Sequence, residues 1–328
     1  MTILTGLFCN NNKKHTTMKK NLLVLVSLLL ATTSVFAVSI PKCLLQHGGT
    51  VQIFDSDKIA NAITSAVDGD TIFLTAGTFP GFTINKKITV RGAGQDTKIT
   101  SDISISISGT PTLTQTVLEG VDLNSNSKSV TLSSAMKGVK IKQCSMYKLS
   151  VDANNTDAII DRCYISFELC QSTYIKSMTV LNSDVTIGRS CYSTNNTISF
   201  VNCNVLMYYF DKCAGTFINS AMTYYTWKGT SRLYNCSFTN CLFKWADTFA
   251  PLDGTSTGQG CYYDSSCSWD AATFEELGYL GNDGRVVGYM GGTTPYTLEL
   301  AVPKVTKSQI VLDSDARVLN VNLKVSAQ

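Results

Sequence analysis

The sequence predicts an all-β fold, a right-handed parallel β-helix, on three observations. A six-residue phrase recurs about every twenty residues between Ile141 and Phe243, its first, fourth and sixth positions are apolar or small, and its third is mostly Asn. The copies are Ile-Lys-Gln-Cys-Ser-Met from Ile141, Ile-Asp-Arg-Cys-Tyr-Ile from Ile160, Val-Leu-Asn-Ser-Asp-Val from Val180 and Phe-Val-Asn-Cys-Asn-Val from Phe200. Phe-Ile-Asn-Ser-Ala-Met from Phe217 and Leu-Tyr-Asn-Cys-Ser-Phe from Leu233 continue the series, and a looser Leu-Glu-Gly-Val-Asp-Leu starts at Leu118. A fixed period of this length marks a stacked repeat architecture. Asn and Gly enter the left-handed backbone region most cheaply, so each copy holds a strand, a one-residue bend and a second strand. Stacking the bends predicts an asparagine ladder of Asn182, Asn202, Asn219 and Asn235.

The chain before the repeats reads as an export signal and a cap. Met18-Lys-Lys-Asn21 is a charged start, Leu22 to Ala31 an apolar run too short to span a bilayer, and Val35-Phe-Ala37 a small-residue cleavage site. Residues 1–37 are therefore expected to be a signal peptide, with translation starting at Met18. Their removal takes away Lys13, Lys14, Lys19 and Lys20 and no acid, so the formal charge falls from +3 to −1. The slightly basic balance then says nothing about nucleic acid. Export is expected to take the protein to the periplasm, the cell surface or the medium, and no later stretch of the sequence could span a bilayer. Ile59, Ala62, Ile63, Ala66 and Val67 fall at helical spacing after possible N-caps at Asp55 or Ser56. A short helix there would cover the raw sheet edge that an open solenoid end presents.

Gly69-Asp-Thr-Ile-Phe-Leu-Thr-Ala-Gly-Thr-Phe79 and Ile84-Asn-Lys-Lys-Ile-Thr-Val-Arg-Gly-Ala-Gly94 follow that helix. Together they resemble the N-terminal entry of the pectate-lyase-like (pectin-lyase-like) superfamily of β-helices, over Ile59 to Ile99. The resemblance implies the fold; the scaffold carries lyases, hydrolases, adhesins and proteins of no assigned activity. Gly284-Arg-Val-Val-Gly-Tyr-Met-Gly-Gly292 resembles a motif near the C-termini of secreted β-helix proteins of Bacteroidales. The expected organisation is a capped β-helix over 38–292 and a β-strand tail over 293–328. Within the tail, strands are expected at Tyr296 to Val302, Gln309 to Leu312 and Leu319 to Val325. The tail should dock along the solenoid, over an outward apolar stripe of Leu181, Val201, Ile218 and Tyr234.

Of 12 Cys, Cys9 lies in the signal, which leaves an odd number. Cys144, Cys163, Cys203 and Cys236 sit at the inward fourth position and are expected to be buried thiols. Cys261 and Cys267 flank a short loop and are the disulfide candidates.

Chemistry is harder to place. The resemblance implies acidic calcium ligands and a basic residue on the outer face of one sheet in the lyases. The column two places after the bend reads Ser145, Tyr164, Asp184, Asn204, Ala221 and Ser237, with one acid. Asp152, Asp157 and Asp161 with Lys148 and Arg162 form the best local charge group, and its acids do not recur one coil later. Only His15 and His47 are present, which disfavours histidine and zinc chemistry. No carboxylate pair of the glycosidase kind is singled out. The expectation is a non-catalytic exported β-helix that binds a polysaccharide or other glycan, or serves as a surface interaction protein. The alternative is a polysaccharide lyase or glycoside hydrolase with a divergent site. No cofactor is expected, and calcium only in the lyase case. Two aromatic groups one period apart, Tyr208, Tyr209 and Phe210 with Tyr224, Tyr225 and Trp227, are the candidate sugar contacts.

Overall fold

A computed structural model describes residues 40–107, 116–151, 157–169, 177–187, 197–207, 215–224, 235–244 and 256–299, with the backbone of 304–313 and 318–326. Residues 40–47 and 52–300 form a β-solenoid. One sheet of twelve strands (sheet A) runs in the order 50–55, 42–47, 71–74, 89–91, 117–119, 140–142, 158–161, 177–181, 197–201, 215–218, 237–239 and 257–259. A second sheet of ten strands (sheet B) climbs beside it from 83–84 to 262–263. From strand 71–74 upward every pairing in sheet A is parallel, as are those in sheet B. Consecutive coils therefore lie about 4.8 Å apart.

The lower edge is closed in two ways. Strand 42–47 pairs antiparallel with 71–74, which ends the parallel ladder. The helix Ile59–Ser65 buries Ile59, Ala62 and Ile63 against the first coils. Its start is a 3-10 turn, Ser56–Lys58, and Asp55 makes no side-chain cap bond. Val67, expected on the apolar face, is half exposed, because the helix has ended before it.

The bends are what keep the coils in register. Gln143, Arg162, Asn182, Asn202, Asn219 and Asn240 take φ between 47° and 53°, with Gly120 at 66° and Gly260 at 63°. Each bend N–H donates to the carbonyl of the residue before the bend in the next coil, as Asn182 does to Val201 and Asn202 to Ile218, both at 3.0 Å. The parallel ladder thus passes through the corner unbroken.

The last repeat differs from the expectation. Phe217 pairs with Phe238 and Ile218 with Thr239, so the bend after Asn219 is Asn240, and the copy in register is Phe238-Thr-Asn-Cys-Leu-Phe243. Asn235 also has a positive φ, but it is exposed and lies before the strand, outside the column. Cys236 pairs with Ser256, also in another column. Both phrases fit the pattern Asn-Cys-x-Phe; inward packing decides between them. Phe200, Phe217 and Phe238 stack at 4.8 and 4.9 Å, and a register on Leu233 would break that stack.

The fourth position is a continuous column of Cys144, Cys163, Ser183, Cys203, Ser220, Cys241 and Cys261. Each side chain donates across its own bend to the carbonyl two residues back, as Ser183 does to Leu181 at 2.6 Å and Cys203 to Val201 at 3.3 Å. Burial pushes the Cys203 and Cys241 thiols up to about 12. This column also explains why Cys261 and Cys267 are not joined: both are free thiols. Cys261 is the next rung of the column and donates to Gln259 O, while Cys267 donates to Asp264 O. We expect Cys144, Cys163, Cys203 and Cys241 to escape iodoacetamide in the folded protein at pH 8 and to react fully in denaturant. Peptide mapping of the alkylated cysteines would show it; rapid native labelling of these four would contradict the buried column.

After the last coils the chain turns back. Residues 278–299 run down the bend corner as an extended strap. Asn219 exchanges two hydrogen bonds with Asn282, at 2.8 and 3.1 Å, and its carbonyl accepts from Gly288 N. Asn204 Oδ1 accepts from Tyr289 N, and Asn182 Nδ2 donates to Thr294 Oγ1. Gln143 Nε2 donates to Glu299 O at 2.6 Å. The bend amides therefore bind the strap more than each other; one bond within the column, Asn202 Nδ2 to Asn182 Oδ1, measures 3.4 Å. Residues 296–299, expected as strand, belong to this strap, and the strands beyond it are 304–313 and 318–326. These two pair antiparallel with each other and belong to the second of the chain's two compact units.

Candidate functional site

The column two places after the bend faces outward and is followed directly by rung pairing. It reads Lys98, Asp122, Ser145, Tyr164, Asp184, Asn204, Ala221, Leu242 and Tyr262. The strap covers its upper part: Tyr262 OH donates to Leu280 O, and Gly288 passes over Ala221. The rings of Tyr289 and Tyr296 lie 4.8 Å apart, and burial, with the nearby Asp184 charge second, raises both phenols above their ordinary range. Burial also pushes the Asp184 carboxyl up to about 6. The strap then crosses toward Gln143 and leaves the lower column open.

The open part is a polar pocket of about 390 Å³, lined by Gln95, Lys98, Asp122, Asn124, Ser145 and Tyr164 among others. Three consecutive rungs supply its floor. Asp122 is 8 % exposed, and its Oδ1 accepts from the backbone of Asn124 and Ser125, which sets the 3-10 turn Asn124–Asn126 beside it. Those bonds fall on one oxygen, and Oδ2 keeps its acceptor capacity. Ser145 is 5 % exposed, and among the described residues its hydroxyl, like the Tyr164 phenol above it, has no hydrogen-bond partner. A near-buried acceptor, a donor–acceptor hydroxyl and a phenol, carried on rungs about 4.8 Å apart, line one space. Polar groups held at the wall of a pocket with unmet bonds are what fixes a polar ligand's orientation.

The other expected sites are separated by the structure. Asp161 is held by Arg162 at 3.0 Å and accepts from Asn182, Asp157 pairs with Lys137 and Ser177, and Lys148 pairs with Glu168. The charge group is thus split into local pairs, and Asp152 lies outside the described residues. On the outer face of sheet A, Arg91 pairs with Glu119 at 2.7 Å, and the column continues as Lys142, Asp161, Leu181, Val201, Ile218 and Thr239. Thr239 takes the place expected for Tyr234, which lies outside the described residues, and Leu242 the place expected for Ser237. Asp122 and Asp184 stand three rungs apart, about 14 Å, whereas glycosidase carboxyl pairs are about 5–10 Å apart. Among the described residues no group of three His, Cys, Asp or Glu is placed to hold a metal ion, and no helix is long and apolar enough to cross a membrane. His47 Nδ1 bonds buried Asp70 at 2.9 Å, beside the cap. Tyr208, Tyr209, Phe210, Tyr225 and Trp227 lie outside the described residues, and of Tyr224 only the backbone, paired with Met207, is described.

Sequence reasoning had the column but not the pocket. Asp122 was visible in the loose first repeat at Leu118; that its turn shapes a wall was not. Comparison with protein-family models, with curated proteins and with solved structures finds no match for this chain.

Proposed function

We propose that the protein is an exported, non-catalytic β-helix that binds a glycan in the pocket floored by Asp122, Ser145 and Tyr164. The observation that carries this reading is the pair of near-buried polar groups, Asp122 Oδ2 and Ser145 Oγ, left with open hydrogen-bonding capacity side by side. An acceptor beside a hydroxyl matches the adjacent hydroxyls of a sugar, and the Tyr164 ring adds an apolar face. Both atoms reach the pocket, so water meets them in the free protein and a sugar hydroxyl can take that water's place at little net cost. The distance between Asp122 and Asp184, about 14 Å, is too long for a glycosidase pair and favours binding over hydrolysis at this pocket. Export is supported by the charged start at Met18, the apolar run and Ala37, as is a mature N-terminus at Val38.

The test is retention on neutral polysaccharide gels, with product analysis in the presence and absence of calcium. Wild type is expected to be retarded without releasing shorter chains. Asp122→Asn keeps the turn-capping oxygen and loses the second acceptor, and should weaken retention at least tenfold, with the melting temperature within a few degrees. Chain shortening, or retention unaffected by Asp122→Asn and Ser145→Ala, would overturn the reading.

A further inference from the structure

We propose that Tyr147 and Phe167 form a second sugar subsite that continues from the pocket, so that the bound glycan is an extended chain lying along the strands of sheet B. This rests on the glycan reading of the pocket and adds to it the length and direction of the ligand. Tyr147 stands two residues beyond Ser145 in the strand Ser145–Val151, so both leave the same face, about 6.6 Å apart. Its neighbour one coil up is Phe167, and the rings are parallel, 4.6 Å between centroids with 2° between planes.

Phe167 reaches that place only through a break in the ladder. Met146 pairs with Ile165 but Lys148 pairs with Glu168, so Ser166 and Phe167 together stand opposite Tyr147. Strict alternation from outward Tyr164 would turn Phe167 inward; the extra residue turns it out. The break is held on both sides. Ser166 Oγ is hydrogen-bonded to Asn124 Oδ1, the pocket wall, and Glu168, 5 % exposed, pairs with Lys148 at 3.0 Å. Phe167 is left 49 % exposed with one face on Tyr147, so its open half is the other face and the rim. An inward Phe would have added to the core. Instead a fixed aromatic surface is set beside a pocket wall by a bulge bonded to that wall. The apolar C–H face of a pyranose is the chemistry that stacks on such a ring, and a ring seated in the pocket directs the next units over it. A pair that served only to tie two strands together would change stability and leave affinity alone.

Calorimetric titration with glucose, cellobiose, cellohexaose, mannohexaose and xylohexaose tests this on the full-length mature protein. Phe167→Ala is expected to weaken the best hexasaccharide at least tenfold and to leave the disaccharide unchanged, while Asp122→Asn weakens both. Phe167→Tyr should restore hexasaccharide binding, and Phe167→Leu, which keeps apolar bulk in case the alanine variant fails to fold, should not. Hexasaccharide affinity unchanged in Phe167→Leu, with Asp122→Asn still defective, overturns the subsite and leaves the pocket standing. Wild type binding none of these sugars, nor the polysaccharide gels, overturns both.

Discussion

Gly292→Ala is expected to lower stability by about 2–5 kcal/mol, because its methyl would both strain the backbone and press on the bend column. Two costs combine there. Gly292 has φ 72°, where a Cβ is strained by about 1–2 kcal/mol. The added methyl would also overlap Asn202 Nδ2 and press on Asn182 Oδ1, and overpacking of this kind costs about 1–3 kcal/mol. Gly288→Ala should behave alike, since Gly288 has φ 88° and its added methyl would meet Asn204 Oδ1. Asn219→Gly removes the amide that exchanges bonds with Asn282 while keeping the bend free of strain, and should cost about 1–3 kcal/mol. Urea unfolding of the three variants measures this. Wild-type stability in all of them would mean that the strap is not seated on the bend column. Gly69, with a positive φ and open space around it, is the control for backbone strain alone.

The same glycines show which parts of this fold can be read along the chain and which cannot. The coils are legible because their signals are local: an apolar residue, a bend residue and a small residue within six positions, repeated. The strap is not, because three of its glycines are there for amides 62–110 residues earlier: Gly281 against Asn219, Gly288 against Asn204 and Gly292 against Asn202 and Asn182. Gly284 to Gly292 could be recognised as a motif without its purpose. The register after Phe217 failed for a related reason. Two overlapping copies, at Leu233 and Phe238, satisfy the same local rule, and only stacking on Phe217 separates them. The antiparallel strand Lys42–His47 carried no periodic signal at all. The site was legible as a column of residue types. The turn after Asp122 and the bulge at Ser166–Phe167 depend on pairing between coils, which alternation along one strand does not contain.

Asp184→Asn is expected to stabilise the protein at pH 7.5 by about 2–3 kcal/mol and to have no such effect near pH 4. The carboxylate sits between Tyr164 and Asn204 in its column, with Tyr289 and Tyr296 of the strap nearby. All of these are neutral at these pH values, so burial is opposed by no cation and lifts the carboxyl from 3.8 to about 6. A carboxyl raised on folding holds its proton more tightly in the folded state. Between about pH 3.8 and 6 the folded protein binds more protons than the unfolded chain, so this group's contribution falls as pH rises through that window. Above it the ionised carboxylate is a standing cost, about 1.4 kcal/mol per unit of displacement before the remaining solvent contact is allowed for. The amide of Asn carries no such cost at any pH. Urea unfolding of wild type and Asp184→Asn at pH 4, 5, 6 and 7.5 should show a gap that opens across the window and is constant above it. A gap independent of pH, or a variant less stable at neutral pH, would mean that the carboxylate is satisfied where it stands.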